Sequence, residues 1–307
     1  MSRVHDALRR AGHTGATPPP PPQQPSPQPA GGGSQTYAAR DHRAPGSVLE
    51  TRTPLKGLLE QIEEIPFHTI PDSLLIDPSR SHDAPSEEFR TLRTRLNHLQ
   101  GQQGLHTLVV TSPSPAEGKS FAAANLAIAQ SQLAGQMTLL ADFDFRRPIV
   151  HNLFNIDRSP GLTDYLLGKI PLHQAMRKVQ GTNLVIMPAG DAVINPLELL
   201  NLREVSQMIE DLPSVFNWVV LDSPPLLFAA DANLLSTLSD GTMLVVRIGH
   251  TTIDSITRAM QSLCQDNVVG IVVNGARRGE LYSKYTYYHT YYTPTDEKEN
   301  PDGPEEK

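Results

Sequence analysis

Apolar and polar positions along this chain follow two different periods, and the switches between them mark out its elements. Short apolar runs bounded by turn residues occur at 108–110, 138–141, 184–187, 218–221, 243–246 and 269–273. Runs of this kind predict strands buried on both faces. Helical patterns lie between them, at about 121–133, 196–211, 231–239 and 252–266. Strands alternating with helices predict an α/β fold with a mostly parallel sheet covered by helices on both faces. Upstream, PSEEFRTLRTRLNHLQ at 85–100 places Phe89, Leu92, Leu96 and Leu99 at helical spacing. That stretch predicts an amphipathic helix with those four side chains as its buried stripe and Ser86 as its N-cap.

The two ends carry no such pattern. Residues 1–12 put Val4, Ala7 and Leu8 on one side of a helix too short to be stable alone, so they read as a frayed terminus or a docking peptide. Residues 13–48 hold PPPPP and GGGS, a composition that cannot bury a core and predicts a disordered tether. The stretch 49–84 reads as an extended lead-in, 85–278 as the folded domain, and 279–307 as a flexible tail, tyrosine-rich and then acidic.

Composition narrows the setting. Hydrophobic residues make up 38% of the 307, low for a wholly globular chain and in keeping with unpacked ends. Cys264 is the one cysteine, which excludes a disulfide framework and suits a reducing cytoplasm. No apolar run approaches the ~20 residues of a membrane span, and the start lacks the apolar core of a secretion signal. A net charge of −7 argues against a general nucleic-acid binder.

Chemistry enters at TSPSPAEGKS, residues 111–120, which leaves the first strand-like run and opens a helix. Strand, turn and helix in that order build a phosphate cradle from backbone N–H groups and the positive end of a helix dipole. Gly118 allows close backbone approach, Lys119 supplies a charge to the outer phosphates, and Ser120 offers a hydroxyl to Mg²⁺. Pro113 stands where the P-loop pattern has its first Gly. Pro115, Ala116, Glu117, Gly118, Lys119, Ser120 and Phe121 are the candidate nucleotide contacts. Asn274, at the end of the last strand on the same sheet edge, joins them.

Three carboxylates follow at strand ends. Asp142 and Asp144 in ADFDFRRP point the same way if the chain stays extended, and acids facing a triphosphate suggest Mg²⁺ coordination, general-base work or both. Asp222 closes the run at 218–221 in the Walker-B manner. His151 and His173 have no partners at metal-ligand spacing and read as structural. Glu87, Arg90 and Arg93 recur every third residue on α-helical register, either as a solvated charge stripe or as a self-complementary contact between subunits. Finally, Tyr282, Tyr285, Tyr287, Tyr288, Tyr291 and Tyr292 put six of the eight tyrosines within eleven residues. Few cations accompany them, so stacking on bases or carbohydrate explains them less well than a role as phospho-acceptors. Eight residues, up to ~26 Å of extended chain, let this tail enter its own site or a neighbour's. Phosphates at about −1.5 to −2 charges each would drive it out of a carboxylate-lined site and loosen self-association.

These motifs resemble the bacterial tyrosine kinases of polysaccharide synthesis and export, over about 75–292. PAEGKS, ADFDFRRP, LDSPP, NPLELL at 195–200, SDGTMLVVRIGHTT at 239–252, the terminal tyrosines and Glu87-x-x-Arg90-x-x-Arg93 all fit. The resemblance implies ATP and Mg²⁺, autophosphorylation between neighbours, and a ring-shaped homo-oligomer contacted through Glu87, Arg90 and Arg93. It implies Lys119, Asp142 and Asp144 as catalytic residues, with Ser120, Asp142, Asp144 and Asp222 around the metal. It also implies a separate membrane-anchored activator of the chain-length-determinant type, recruitment to the inner face of the membrane, and a tyrosine phosphatase. Ala141 and Ser223 depart from the usual pattern without removing a catalytic group. A related P-loop ATPase that positions cargo or division machinery is a rival reading, although Thr111–Glu117 lacks the second lysine typical of it. An inactive nucleotide-binding scaffold is another.

Overall fold

The structure is a computed structural model that describes residues 57–66, 75–76, 84–263 and 267–276. The proline-rich stretch, Cys264 and the tyrosine cluster lie outside the described residues. Within them the chain builds one eight-stranded sheet. In chain order the strands are β1 Glu63–Ile65, β2 Thr107–Thr111, β3 Thr138–Asp142, β4 Arg177–Val179, β5 Leu184–Met187, β6 Trp218–Asp222, β7 Gly241–Arg247 and β8 Val268–Asn274. Across the sheet they run β1-β4-β5-β3-β6-β2-β7-β8. All neighbours are parallel except β4 and β5.

Burial follows from the pattern of the strands. Each of β2, β3, β5 and β6 is buried at every position, as a parallel sheet covered on both sides requires. Successive side chains then feed two separate cores. Val109, Leu139, Ala141, Val185, Val219 and Leu221 enter one. Leu108, Val110, Leu140, Leu184, Ile186, Trp218 and Val220 enter the other. The second core is roofed by α2, Ala84–Gln103, and by α3, Lys119–Ser131. Of the stripe read on α2, Leu96 is buried and Phe89, Leu92 and Leu99 pack partly buried on the same core. Phe89 meets Phe121 of α3 edge to face, and Trp218 donates its indole N–H to Asn97 at 2.9 Å, tying α2 to the middle of the sheet. Ser86 lies inside the first turn of α2 rather than capping it, because the helix begins two residues earlier.

Smaller helices complete both layers: α4 Val150–Leu153, α5 Leu162–Leu166, α6 Pro196–Leu200, α7 Arg203–Asp211, α8 Asp231–Leu238 and α9 Ile253–Ser262. The pattern read as one helix over 196–211 is broken into α6 and α7. Asn201 turns its side-chain amide onto the Leu197 carbonyl at 2.9 Å, the local bond by which Asn competes with helix continuation. The sheet also reaches into the stretch read as an extended lead-in. There α1, Leu58–Gln61, precedes β1, and β1 pairs with β4. β1 at the edge and β4 beside it are three residues long and carry charges, so they lack an apolar run. Lys178 reaches Glu64 at 2.7 Å and Arg177 reaches Glu63 at 3.5 Å, polar pairing suited to a sheet edge. Among the described residues no helix is long and apolar enough to cross a membrane.

Leu140 is fully buried on β3 beneath α3. Leu140→Ala is expected to cost about 2–5 kcal/mol of unfolding free energy, read from the midpoint of a urea titration.

Candidate active site

The cradle sits where β2 ends and α3 begins. Ala116 adopts φ 63° and Gly118 φ 93°, left-handed values that turn the chain sharply into the helix. A methyl group on Gly118 would come within 2.0 Å of the Asn274 side-chain nitrogen, so this position has no room for another residue. Asn274 was read as a nucleotide contact. Here its Nδ2 donates to the Glu117 carbonyl at 2.9 Å, so it braces the cradle.

The sheet register brings the acids together. Asp142 on β3 lies directly beside Asp222 on β6, in the same alternation as the residues that face α3. Lys119, the first residue of α3, answers them. Its ammonium is 2.8 Å from Asp144 Oδ2 and 3.5 Å from Asp222 Oδ1, and it donates to Ser120 Oγ at 2.9 Å. Lys119, Ser120, Asp142, Asp144 and Asp222 are all buried.

Electrostatics follow from that burial. Burial works against the Lys119 charge, but the attraction of Asp222 and then of Asp144 outweighs it and raises the pKa. Burial, reinforced by the neighbouring Asp222 charge, pushes the Asp142 carboxyl up to about 8. Its two oxygens accept from the N–H groups of Asp144 and Val150, each at 3.1 Å, which folds the acidic loop back onto α4. Burial likewise raises Asp222, with Lys119 opposing. Neither Asp222 oxygen accepts a hydrogen bond. Lys119, at 3.5 Å, is the cation it has; a carboxylate this deep without a closer hydrogen bond is costly and can accept a further cation.

Several residues that hold this site carry no motif of their own. Arg146 makes a two-pronged pair with Asp231, at 2.8 and 3.1 Å, pinning the acidic loop to the start of α8. Arg247 donates to the Ala116 carbonyl at 3.1 Å, and the Thr251 hydroxyl donates to Glu117 at 2.6 Å. Both fall inside SDGTMLVVRIGHTT, so the resemblance pointed at the segment but not at these atoms. Elsewhere, Glu87 pairs with Arg90 within α2 at 2.7 Å, while Arg93 donates to the Ala129 carbonyl of α3 at 2.8 Å. Burial and then the Arg158 charge lower the pKa of His151. The six tyrosines at 282–292, expected from sequence to be phospho-acceptors, lie outside the described residues.

A glycine-bearing loop between strand and helix, a lysine at the helix start and carboxylates on neighbouring strand ends define a P-loop nucleotide-binding protein. No protein-family model matches the chain. It is 34% identical over 207 residues to the tyrosine-protein kinase YwqD of Bacillus subtilis, covering 67% of this chain and 86% of that one. It is 31% identical over 243 residues to the tyrosine-protein kinase etk of Escherichia coli, covering 76% of this chain but 33% of that longer protein. The solved kinase domain of Escherichia coli tyrosine kinase ETK matches with a TM-score of 0.60 and 31% identity, over 66% of this chain and 81% of that one. The chimerical protein CapA2B2 gives a TM-score of 0.60 at 27% identity, over 73% and 98%. This chain belongs to the bacterial tyrosine kinases, and it is a protein-tyrosine kinase.

Asp222 supplies a stability test. Its folded pKa is raised, so its neutral form is favoured by folding and stability is lost as pH rises from the ordinary carboxylate range through the raised value. In paired urea titrations of the nucleotide-free, magnesium-free protein, Asp222→Asn should therefore gain stability relative to wild type between pH 5 and pH 8.

Proposed function

We propose that this kinase uses MgATP to phosphorylate the tyrosines at 282–292 in neighbouring copies of itself, and that this governs polysaccharide polymerisation or export. The observation that carries the reading is the shared ammonium: Lys119 stands between Asp144 and Asp222 at the mouth of a phosphate cradle. The residues also fit magnesium. Asp222 offers two oxygens that accept no hydrogen bond, one of them 3.5 Å from Lys119, and Ser120, Asp142 and Asp144 supply the remaining hard donors. Bound there, the metal would neutralise charge on the phosphate oxygens.

The protein's own groups divide the remaining work. Lys119 exchanges its carboxylate partners for the outer phosphates, and the cradle amides orient them. Asp142 and Asp144 share the care of the incoming tyrosine hydroxyl, whose free pKa near ~10 calls for a positioned acceptor at neutral pH. Both Asp142 oxygens already accept backbone N–H groups, so one of these bonds must give way if Asp142 takes the proton. Alignment and charge neutralisation provide most of the rate.

The same reading includes assembly. Glu87, Arg90 and Arg93 contact a neighbour in a ring, which requires the Glu87–Arg90 pair within α2 to open or be shared. A separate membrane-anchored chain of the chain-length-determinant type docks on the kinase and brings it to the inner face of the membrane. A tyrosine phosphatase resets the tail. CapA2B2, by its name a chimera, supports a kinase that works with a second polypeptide.

Incubation with MgATP followed by mass spectrometry should find phosphotyrosine at 282–292 in the wild-type chain and none in Lys119→Met. Mixed with an active chain truncated after 278, Lys119→Met should gain phosphate on its tail. ATP turnover with bare tyrosines, given the activator's cytoplasmic segment, would overturn the proposal and favour a positioning ATPase.

A further inference from the structure

An acid inside an anion-binding loop needs an explanation. Glu117 lies between Ala116 and Gly118 in the cradle and is 1% exposed. Among the described residues it has no ion-pair partner, and a free carboxylate there would repel a polyphosphate. Its oxygens are committed elsewhere. Oε2 accepts the Ser114 N–H at 2.9 Å, and Oε1 accepts the Thr251 hydroxyl at 2.6 Å. Thr251 is itself fixed, because its oxygen accepts the Arg247 N–H at 2.8 Å. One carboxylate therefore staples the beginning of the cradle to the loop between β7 and α9.

The staple belongs to a one-sided brace. Arg247 holds the Ala116 carbonyl and Asn274 holds the Glu117 carbonyl, both from the ends of β7 and β8. With those two carbonyls drawn to that side, the turn keeps Ala116 in a left-handed conformation that costs a non-glycine residue on the order of 1–2 kcal/mol. Strain of this kind persists only where surrounding contacts over-determine it.

We infer that Thr251 is a positioning residue for the nucleotide: by binding Glu117 it holds the cradle in its phosphate-accepting shape without touching the phosphates. Glu117, read from sequence as a nucleotide contact, serves through its side chain as the other half of this clamp. The inference rests on nucleotide binding alone and is independent of which hydroxyl receives the phosphoryl group.

The test uses the full chain and titration with a fluorescent ADP analogue, with magnesium present. Thr251→Val, which removes the hydroxyl at nearly constant shape, should weaken binding about tenfold, the scale of one hydrogen bond to a charged acceptor. Thr251→Ser keeps the hydroxyl and should stay within about threefold of wild type. In a Glu117→Ala background, Thr251→Val should cause no further loss, the signature of two groups acting as one. The thermal midpoint without nucleotide reports whether each variant folds. Folded Thr251→Val that binds like wild type, Thr251→Ser as weak as Thr251→Val, or losses that simply add would each overturn the inference. If Thr251→Val does not fold, Thr251→Ser and Thr251→Ala decide: equal affinity in the two overturns it, and weaker binding by Thr251→Ala supports it.

Discussion

One lysine holds the centre of this molecule together. Register places Asp142 and Asp222 side by side at the ends of β3 and β6, both excluded from water, with Asp144 close behind. Ionised carboxylates so placed would repel one another strongly, and removing each from water costs several kcal/mol after relaxation. The Lys119 ammonium reaches Asp144 and Asp222 at once, and the raised pKa of Asp142 shows that even so one acid is held towards its neutral form. The site is therefore under electrostatic tension in the absence of a ligand, a state that favours a group bringing positive charge with it.

That tension depends on the fold being rigid at one edge. Fully buried parallel strands leave little freedom in register, since a slip of one residue would send every side chain to the opposite core. In a parallel sheet the strands also end on one rim, so the cradle after β2 and the acids after β3 and β6 meet there by topology. Arg146 then fixes the loop that carries Asp144 to α8, whose first residue Asp231 is almost fully buried. A single guanidinium with two parallel bonds constrains orientation as well as distance.

How much of this was legible beforehand follows from what each element needs. The six strands from the middle of the sheet to β8 announce themselves by continuous apolar runs, which burial on both faces demands of β2, β3, β5 and β6. β1 and β4 do not, because three residues of which two are charged leave no periodic trace. The division between α6 and α7 was hidden in one side-chain bond of Asn201, which helix periodicity cannot register. In the site, Lys119 was legible at a helix start, and Asp142, Asp144 and Asp222 at or just past strand ends. The brace was not. Arg247, Thr251 and Asp231 lie far from the cradle in sequence, and only the order β6-β2-β7-β8 brings the brace beside it.

That order also separates two influences on the cradle. β2 has β6 on one side and β7 on the other. Acids from β6 and β3 reach the start of α3 through Lys119, while contacts from β7 and β8 reach the turn through its carbonyls and Glu117. Two sets of contacts thus reach one loop from opposite flanks, and a change on one flank need not disturb the other. β8 runs parallel to β7, so Asn274 ends on the reactive rim. The sequence beyond it carries the tyrosines, so the proposed self-phosphorylation would start them from the rim that holds the cradle. Had β8 been antiparallel, the same residues would have departed from the far edge, and eight residues would have had to cross the depth of the sheet.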